Sequence, residues 1–234
     1  MLKHLYILAF CCFALFLGAS LQAATTSWIK DSDGVWNDAG NWNNGVPNNE
    51  GDIAQFPEIG GVTSINIDVT GISPTVNQMV FTGTTRYTFR NSSITLDGTT
   101  PQISATGSTI SQTIISHLII AETTTFNLSD GLGIEGVVSG TGNIIKTGAS
   151  DLGFEAANTH TGSITISEGK VDLFASGNIS TSSDVTVNGT LLFAAGLAGD
   201  ININNLSGSG TITGNNNNFT ITQNTDGTFS GTIS

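Results

Sequence analysis

From Ala24 onward the chain predicts an all-β fold: a parallel β-helix, or β-solenoid, of about 21-residue coils with three strands each. Three observations carry this. Short runs such as Ile65-Asn66-Ile67, Tyr87-Thr88-Phe89, Phe126-Asn127-Leu128 and Val185-Thr186-Val187 alternate apolar with polar residues between Gly, Ser, Asn or Asp, the pattern of half-buried strands. Apolar positions then recur in columns at a nearly constant step: Ile164, Val185 and Leu206; Val171, Leu191, Ile212 and Ile233; Ile179, Ile201 and Ile221. Finally, 29 Gly, abundant Ser, Thr and Asn, and few strong helix formers disfavour a helical fold. An antiparallel sandwich would also have turns every roughly 8 to 12 residues, but nothing in it would return the same columns. At about 4.8 Å per coil, roughly eight coils make a rod about 40 Å long.

The first element is residues 1–23. Lys3 and His4 precede an apolar run from Leu5 to Gly18, and small or polar residues follow to Ala24, the order of a secretory signal peptide. The apolar run of about 14 residues is short of the roughly 20 that span a bilayer. Cleavage is placed after Ala23, with Leu21 bulky for the −3 position. A lipoprotein signal ending at Cys11 is disfavoured, because Phe10 is too large for the site and the apolar run would be halved. Both cysteines, Cys11 and Cys12, lie in this segment, so the exported chain has no thiol for a disulfide. Either its core is self-sufficient, or the chain must stay threadable through a pore. No other segment approaches membrane-spanning length, so the expected location is extracellular or at the cell surface.

The net charge of −12, with only five Lys or Arg after the signal, repels phosphate backbones and anionic lipid, so nucleic acid is not an expected partner. Residues 24–60 hold all three tryptophans, Trp28, Trp36 and Trp42, with Gly45-Val46-Pro47 and Asp52-Ile53-Ala54-Gln55-Phe56. A solenoid needs its first coil covered, and large aromatics with a strand-breaking proline would serve as that cap. The alternative is that Trp28, Trp36 and Trp42 stack on sugars as a ligand site.

Residues 61–234 are the repeats. Ser139 to Leu173 contains Gly140-x-Gly142, Ile144, Lys146-Thr147-Gly148, Asn158-Thr159, Thr161-Gly162, and Gly169 before Val171-Asp172-Leu173. This resembles the autotransporter-associated β-strand repeat of bacterial surface proteins. His160 stands where that family has an aromatic residue, and Ser163 where it has a second Gly. Leu206 to Ile212 resembles the opening of another unit, and the Trp-rich start resembles that of exported proteins built from these repeats. Gly61 to Val138 fits by composition and strand pattern alone. The resemblance implies a right-handed parallel β-helix of the passenger type, exported and displayed at the surface.

Catalytic and metal constellations are sparse. His117, beside Leu118-Ile119-Ile120, reads as a strand-edge residue and His160 as a stacking residue in a turn, neither at metal-ligand spacing from a partner. The Lys-Thr pair within Gly142 to Gly148 fails as a phosphate loop because Ile145 precedes the lysine. Asp31-Ser32-Asp33-Gly34 lacks the later ligands of a calcium loop. Asp151 and Glu155 could pair across a turn as glycosidase carboxylates. Arg86 and Arg90 share a strand face, where they balance an acidic surface or, alternatively, form a sugar-acid subsite. The Asn215 to Asn218 run suits an amide ladder or a bulging loop, and six Asn-x-Ser/Thr triplets carry little information in such a chain.

The sequence therefore predicts a secreted or surface-displayed bacterial β-helix, a structural or adhesive stalk without catalysis, cofactor or metal. A carbohydrate-binding or polysaccharide-active protein on the same fold is the alternative, and a host-surface or glycan ligand the expected partner. Gly231-Thr232-Ile233-Ser234 resembles Gly136-Val137-Val138-Ser139, which leads into the best repeat unit. On that likeness the chain is expected to be one part of a longer or split array, lacking a membrane barrel, and to self-associate end to end through an uncovered last coil.

Overall fold

In a parallel stack each strand hydrogen-bonds to its counterparts one coil before and one coil after. A residue's inward or outward direction is thereby inherited along the column. The computed structural model describes residues 23–107, 110–214 and 218–234, and among them the strands pair with one another in parallel, beside an isolated antiparallel bridge between Trp28 and Trp42. The expected signal peptide lies outside the described residues, apart from Ala23. One sheet has nine strands, from Thr25–Ser27 to Leu206–Ser207; a second has ten, from Gly34–Val35 to Thr232–Ile233. A third face has four strands, from Thr75–Val76 to Val138–Gly140, and later on Ile201–Asn204 pairs with Phe219–Thr222. The result is a β-solenoid of about eight turns whose only described helix is the single turn Ala39–Asn41.

Inward columns fill the lumen. On the first sheet one runs Ala54, Met79, Ile103, Phe126, Lys146, Ile166, Val187. On the second, Ile67, Phe89, Ile114, Ile134, Phe154, Leu173 and Phe193 follow one another. Burying each large apolar side chain contributes about 1.5–3 kcal/mol, so the stack is stabilised at every coil. The expected columns Ile164–Val185–Leu206 and Val171–Leu191–Ile212–Ile233 are present in register. The third is not. Ile179 and Ile201 are both buried, but Ile201 pairs with Phe219 and Ile221 with Ile203, because the coil from Ile201 to Phe219 is shorter than the expected repeat. Ile221 is 40% exposed.

Coil length explains why the columns are visible only in the second half. Early in the chain Ile53 pairs with Gln78 and Gln78 with Gln102, whereas later Ile144 pairs with Ile164 and Ile164 with Val185, so each later coil closes several positions sooner. The shorter coils turn through a glycine ladder, Gly169, Gly189, Gly210 and Gly231, in register with one another. A Cβ on any of the last three would collide with the carbonyl oxygen of the glycine before it, so backbone approach fixes the residue type. Gly231–Ser234 therefore continues the second sheet, whereas Val138–Gly140 belongs to the third. The likeness between the two segments is local and does not mark equivalent places in the coil.

Polar side chains also enter the inward columns: Thr124 precedes Ile144 and Ile164 in one of them, and two longer side chains stand in others. Gln112 points inward, its Oε1 accepting from the Tyr87 amide at 2.7 Å. Lys146 is fully buried between Phe126 and Ile166, and its ammonium donates to the carbonyls of Thr147 (2.8 Å) and Gly148 (2.7 Å) at the corner of its own coil. Burial pulls its pKa down to about 8, against the opposing charges of Asp151 and Glu168.

Replacing Leu191 by Asp buries an unpaired charge and is expected to cost about 4 kcal/mol, lowering the melting temperature by about 10 °C. The outward Thr186→Asp is expected to stay within about 0.5 kcal/mol, and thermal denaturation of both variants checks the inward assignment. Between pH 8 and about 10.4, the ordinary lysine value, Lys146 binds fewer protons folded than unfolded, so its contribution to stability grows as pH rises. Urea titrations at pH 7, 8.5 and 10 should show the parent chain gaining on Lys146→Met; a constant difference would show that burial does not displace this pKa.

Candidate functional site

The outward column of the second sheet runs Asn66, Thr88, Thr113, Gly133, Gly153, Asp172, Leu192, Thr213. Two consecutive glycines in the middle remove the side chains that would cover the sheet and leave a groove of about 290 Å³. Its floor is Gly133 and Gly153. Glu135 and Glu155, which follow their strands at equivalent places in successive coils, stand on one side, and Asp151 on the other. Asp172 and the ring of Phe174 close the end. A Cβ at Gly153 would lie 3.3 Å from that ring, whereas one at Gly133 would meet nothing nearer than 3.9 Å.

Charge is organised around Lys170. Its ammonium lies 3.1 Å from Asp151 and 2.9 Å from Asp172, and these are the ion pairs among the described residues. Burial opposes the charged form of Lys170, but the hydrogen bonds and charges of Asp172 and Asp151 outweigh it and raise the pKa. Asp172 is buried beneath these neighbours. Its Oδ2 meets Lys170, its Oδ1 has no partner, and burial raises its pKa against the pull of Lys170. Asp172 is consequently not a freely solvated outward residue, although the period-2 pattern places it on the outward face. Phe174 is 37% exposed beside it, an aromatic ring facing a carboxylate-lined trough.

Asp151 and Glu155, which could have paired across a turn, lie at the beginning and just past the end of one strand, Asp151–Phe154, and both line the groove. Sequence reasoning missed Phe174, Glu135 and the glycine floor. The signal was present in Leu132-Gly133-Ile134 and Leu152-Gly153-Phe154, where glycine occupies the outward position of two alternating runs one coil apart.

The other candidate residues do not join this site. Trp28 and Trp36 have no exposed surface and Trp42 only 3%. Their rings pack edge to face, with centroids 5.2 Å apart for Trp28 and Trp42 and 5.1 Å for Trp36 and Trp42, over Phe56. Their indole N–H groups donate to the carbonyls of Lys30, Pro47 and Trp36. With no ring face open, the three tryptophans are not placed to stack on a sugar; they cover the end of the core. His160 does not stack in a turn. It is buried, its Nε2 lies 2.7 Å from the Gly142 carbonyl and its Nδ1 3.4 Å from Ser182 Oγ, and burial lowers its pKa although the Gly142 contact opposes this.

His117 opens a strand in the interior of the third sheet, paired on both sides, with Nε2 2.7 Å from Ser139 Oγ. The Asp33 carboxylate accepts from the backbone and side-chain nitrogens of Asn66. Among the described residues no three His, Cys, Asp or Glu side chains are placed to share a metal ion. Arg86 and Arg90 lie exposed on one strand face, and Arg90 Nε donates to Asn66 Oδ1. Residues 215–217 of the asparagine run lie outside the described residues.

Comparison with known proteins adds no name: no family model, no curated protein and no solved structure matches this chain.

Proposed function

We propose that the chain is an exported bacterial β-solenoid, a structural or adhesive rod of the passenger type, and that the glycine-floored groove is where it grips a neutral glycan. The observation that carries this reading is the groove itself: a flat backbone floor two coils wide, flanked by carboxylates and ended by the half-exposed Phe174 ring. An apolar ring face suits the C–H face of a sugar, and carboxylates accept hydrogen bonds from hydroxyl pairs. The charge of Glu135, Glu155 and Asp151, on a chain of net −12, works against uronate polymers. The sequence features that favour export are the charged, apolar and small-residue order of residues 1–23 and the repeat resemblance of Ser139 to Leu173.

A second reading is favoured by one observation. Asp172 combines a raised pKa with an unpartnered Oδ1, as a proton-donating carboxyl in glycoside cleavage would. Against it, Lys170 ties Asp151 and Asp172 together, so neither is a free carboxylate poised opposite an acid.

Glycan-array binding followed by titration of the best neutral ligand tests both. Phe174→Ala and the groove-filling Gly133→Val are each expected to weaken binding about tenfold while leaving the melting temperature nearly unchanged. Binding that ignores both substitutions would remove the groove from consideration, and release of oligosaccharides from pectin, alginate or chitin would replace the adhesive reading with the enzymatic one.

A further inference from the structure

The backbone nitrogen of Ala24 lies 3.0 Å from Oδ1 of Asp52. Asp52 is 3% exposed, and its other carboxylate oxygen accepts from the backbone nitrogens of Asn48 and Asn49 and from the Asn49 side-chain amide. Among the described residues no Lys, Arg or His forms an ion pair with it. Every hydrogen-bond donor to this carboxylate among the described residues is a neutral N–H, so its negative charge has no opposite charge beside it.

The next coil shows what this position otherwise takes. Ile53 pairs with Gln78, so Asn77 is the counterpart of Asp52. Asn77 Oδ1 also accepts a backbone amide, but from the coil after it, from Thr100 at 3.2 Å, whereas Asp52 Oδ1 accepts from the coil before. A neutral amide at this corner can therefore receive a peptide N–H, and the acid stands in the coil that faces Ala24.

We propose that Asp52 is the receptor for the α-ammonium group created when the leader is removed between Ala23 and Ala24. The inference rests on the export reading above. Hydrolysis of the Ala23–Ala24 peptide bond adds water across it, leaving the Ala23 carboxylate on the departing leader and a protonated amine on Ala24. The nitrogen that donates one neutral hydrogen bond in the uncut chain becomes a cation beside the Asp52 carboxylate. Ala24 also holds the start of the first sheet, since its carbonyl accepts from Ile53. The new charge pair therefore locks the first strand onto the coil beneath it, and cutting stabilises the cap.

The geometry of the cleft fits the event. Ala23 lines an open cleft of about 700 Å³ with Glu50, Asp52 and Asp97, and no Lys, Arg or His among the described residues lines it. The other charges facing the new amine, Glu50 and Asp97, are thus negative and favour its protonated form.

The test begins with the full chain, expressed with its own leader in a bacterial host, and the intact mass of the exported product. The expected mass is that of a chain starting at Ala24; a leader that stays on, or another first residue, overturns the proposed junction. The product is then melted beside a variant with one extra Ala inserted after Ala23, which carries its amine one residue upstream, and beside Asp52→Asn forms of both. At pH 6 the Ala24-starting protein should melt about 5 °C above the extended one, and Asp52→Asn should erase that gap.

The pairing raises the folded pKa of the amine above its unfolded value of about 8. The stabilisation is thus full below pH 8 and disappears as pH rises through the folded value, so the gap should close by about pH 10. Equal melting at pH 6 for two proteins of verified termini would overturn the ion pair while leaving export intact.

Discussion

The structure depends on the pitch of the parallel ladder. When every strand must meet its counterpart one coil away at about 4.8 Å, the corners between strands must approach equally closely. The glycines at 169, 189, 210 and 231 are the residues that permit this. Any side chain there would meet the carbonyl of the coil before, and the Thr190, Thr211 and Thr232 amides that bond those carbonyls would be pushed out of reach. Coil length, column register and the direction of each side chain follow from holding this corner tight.

Once the pitch is fixed, the lumen is narrow and its chemistry is constrained. Apolar columns fill it, and the long polar side chains that enter it are met by backbone partners. Lys146 is tolerated because a corner turns its carbonyls inward next to the ammonium, and Gln112 because it bonds the Tyr87 amide. At the other limit, the three tryptophans meet the end of the core, where no further coil of the described residues supplies apolar surface. Their indole N–H groups turn back to local carbonyls so that the rings can be buried without leaving a donor unpaired.

This separates what the sequence makes legible from what it hides. The columns through Val185 and Leu191 are readable because the coils there are short, nearly constant in length and cleanly alternating. The longer coils before them carry the same columns, but their extended turns break the spacing. Ile221 meets Ile203 and not the expected Ile201 for the converse reason, a shortened coil. Parity places Lys146 inward alongside Ile144, yet residue type argues against it. The burial of Asp172 is invisible in the sequence because it comes from Lys170 and from neighbouring coils, not from the alternation of its own strand.

Inward positions are dictated by packing and corners by backbone approach, so neither leaves much room for chemistry. Outward positions are free of both constraints, and there a departure from the coil-to-coil pattern asks for a different explanation. Glycine in a strand interior costs about 0.5–1 kcal/mol relative to alanine; at 153 the Phe174 ring packs closely over the position, but nothing in the core or the corners demands it at 133, where a side chain would point outward. The same column carries Asn66, Thr88 and Thr113 in the preceding coils. Gly133, bordered by Glu135, Glu155 and Asp151, is therefore a local loss of stability that packing does not require. Asp52 poses the same question at a corner where its counterpart Asn77, a neutral amide, accepts a peptide N–H. In a molecule built from stacked near-equivalents, the neighbouring coil is an internal control, and the groove and Asp52 are two places where the described residues depart from it.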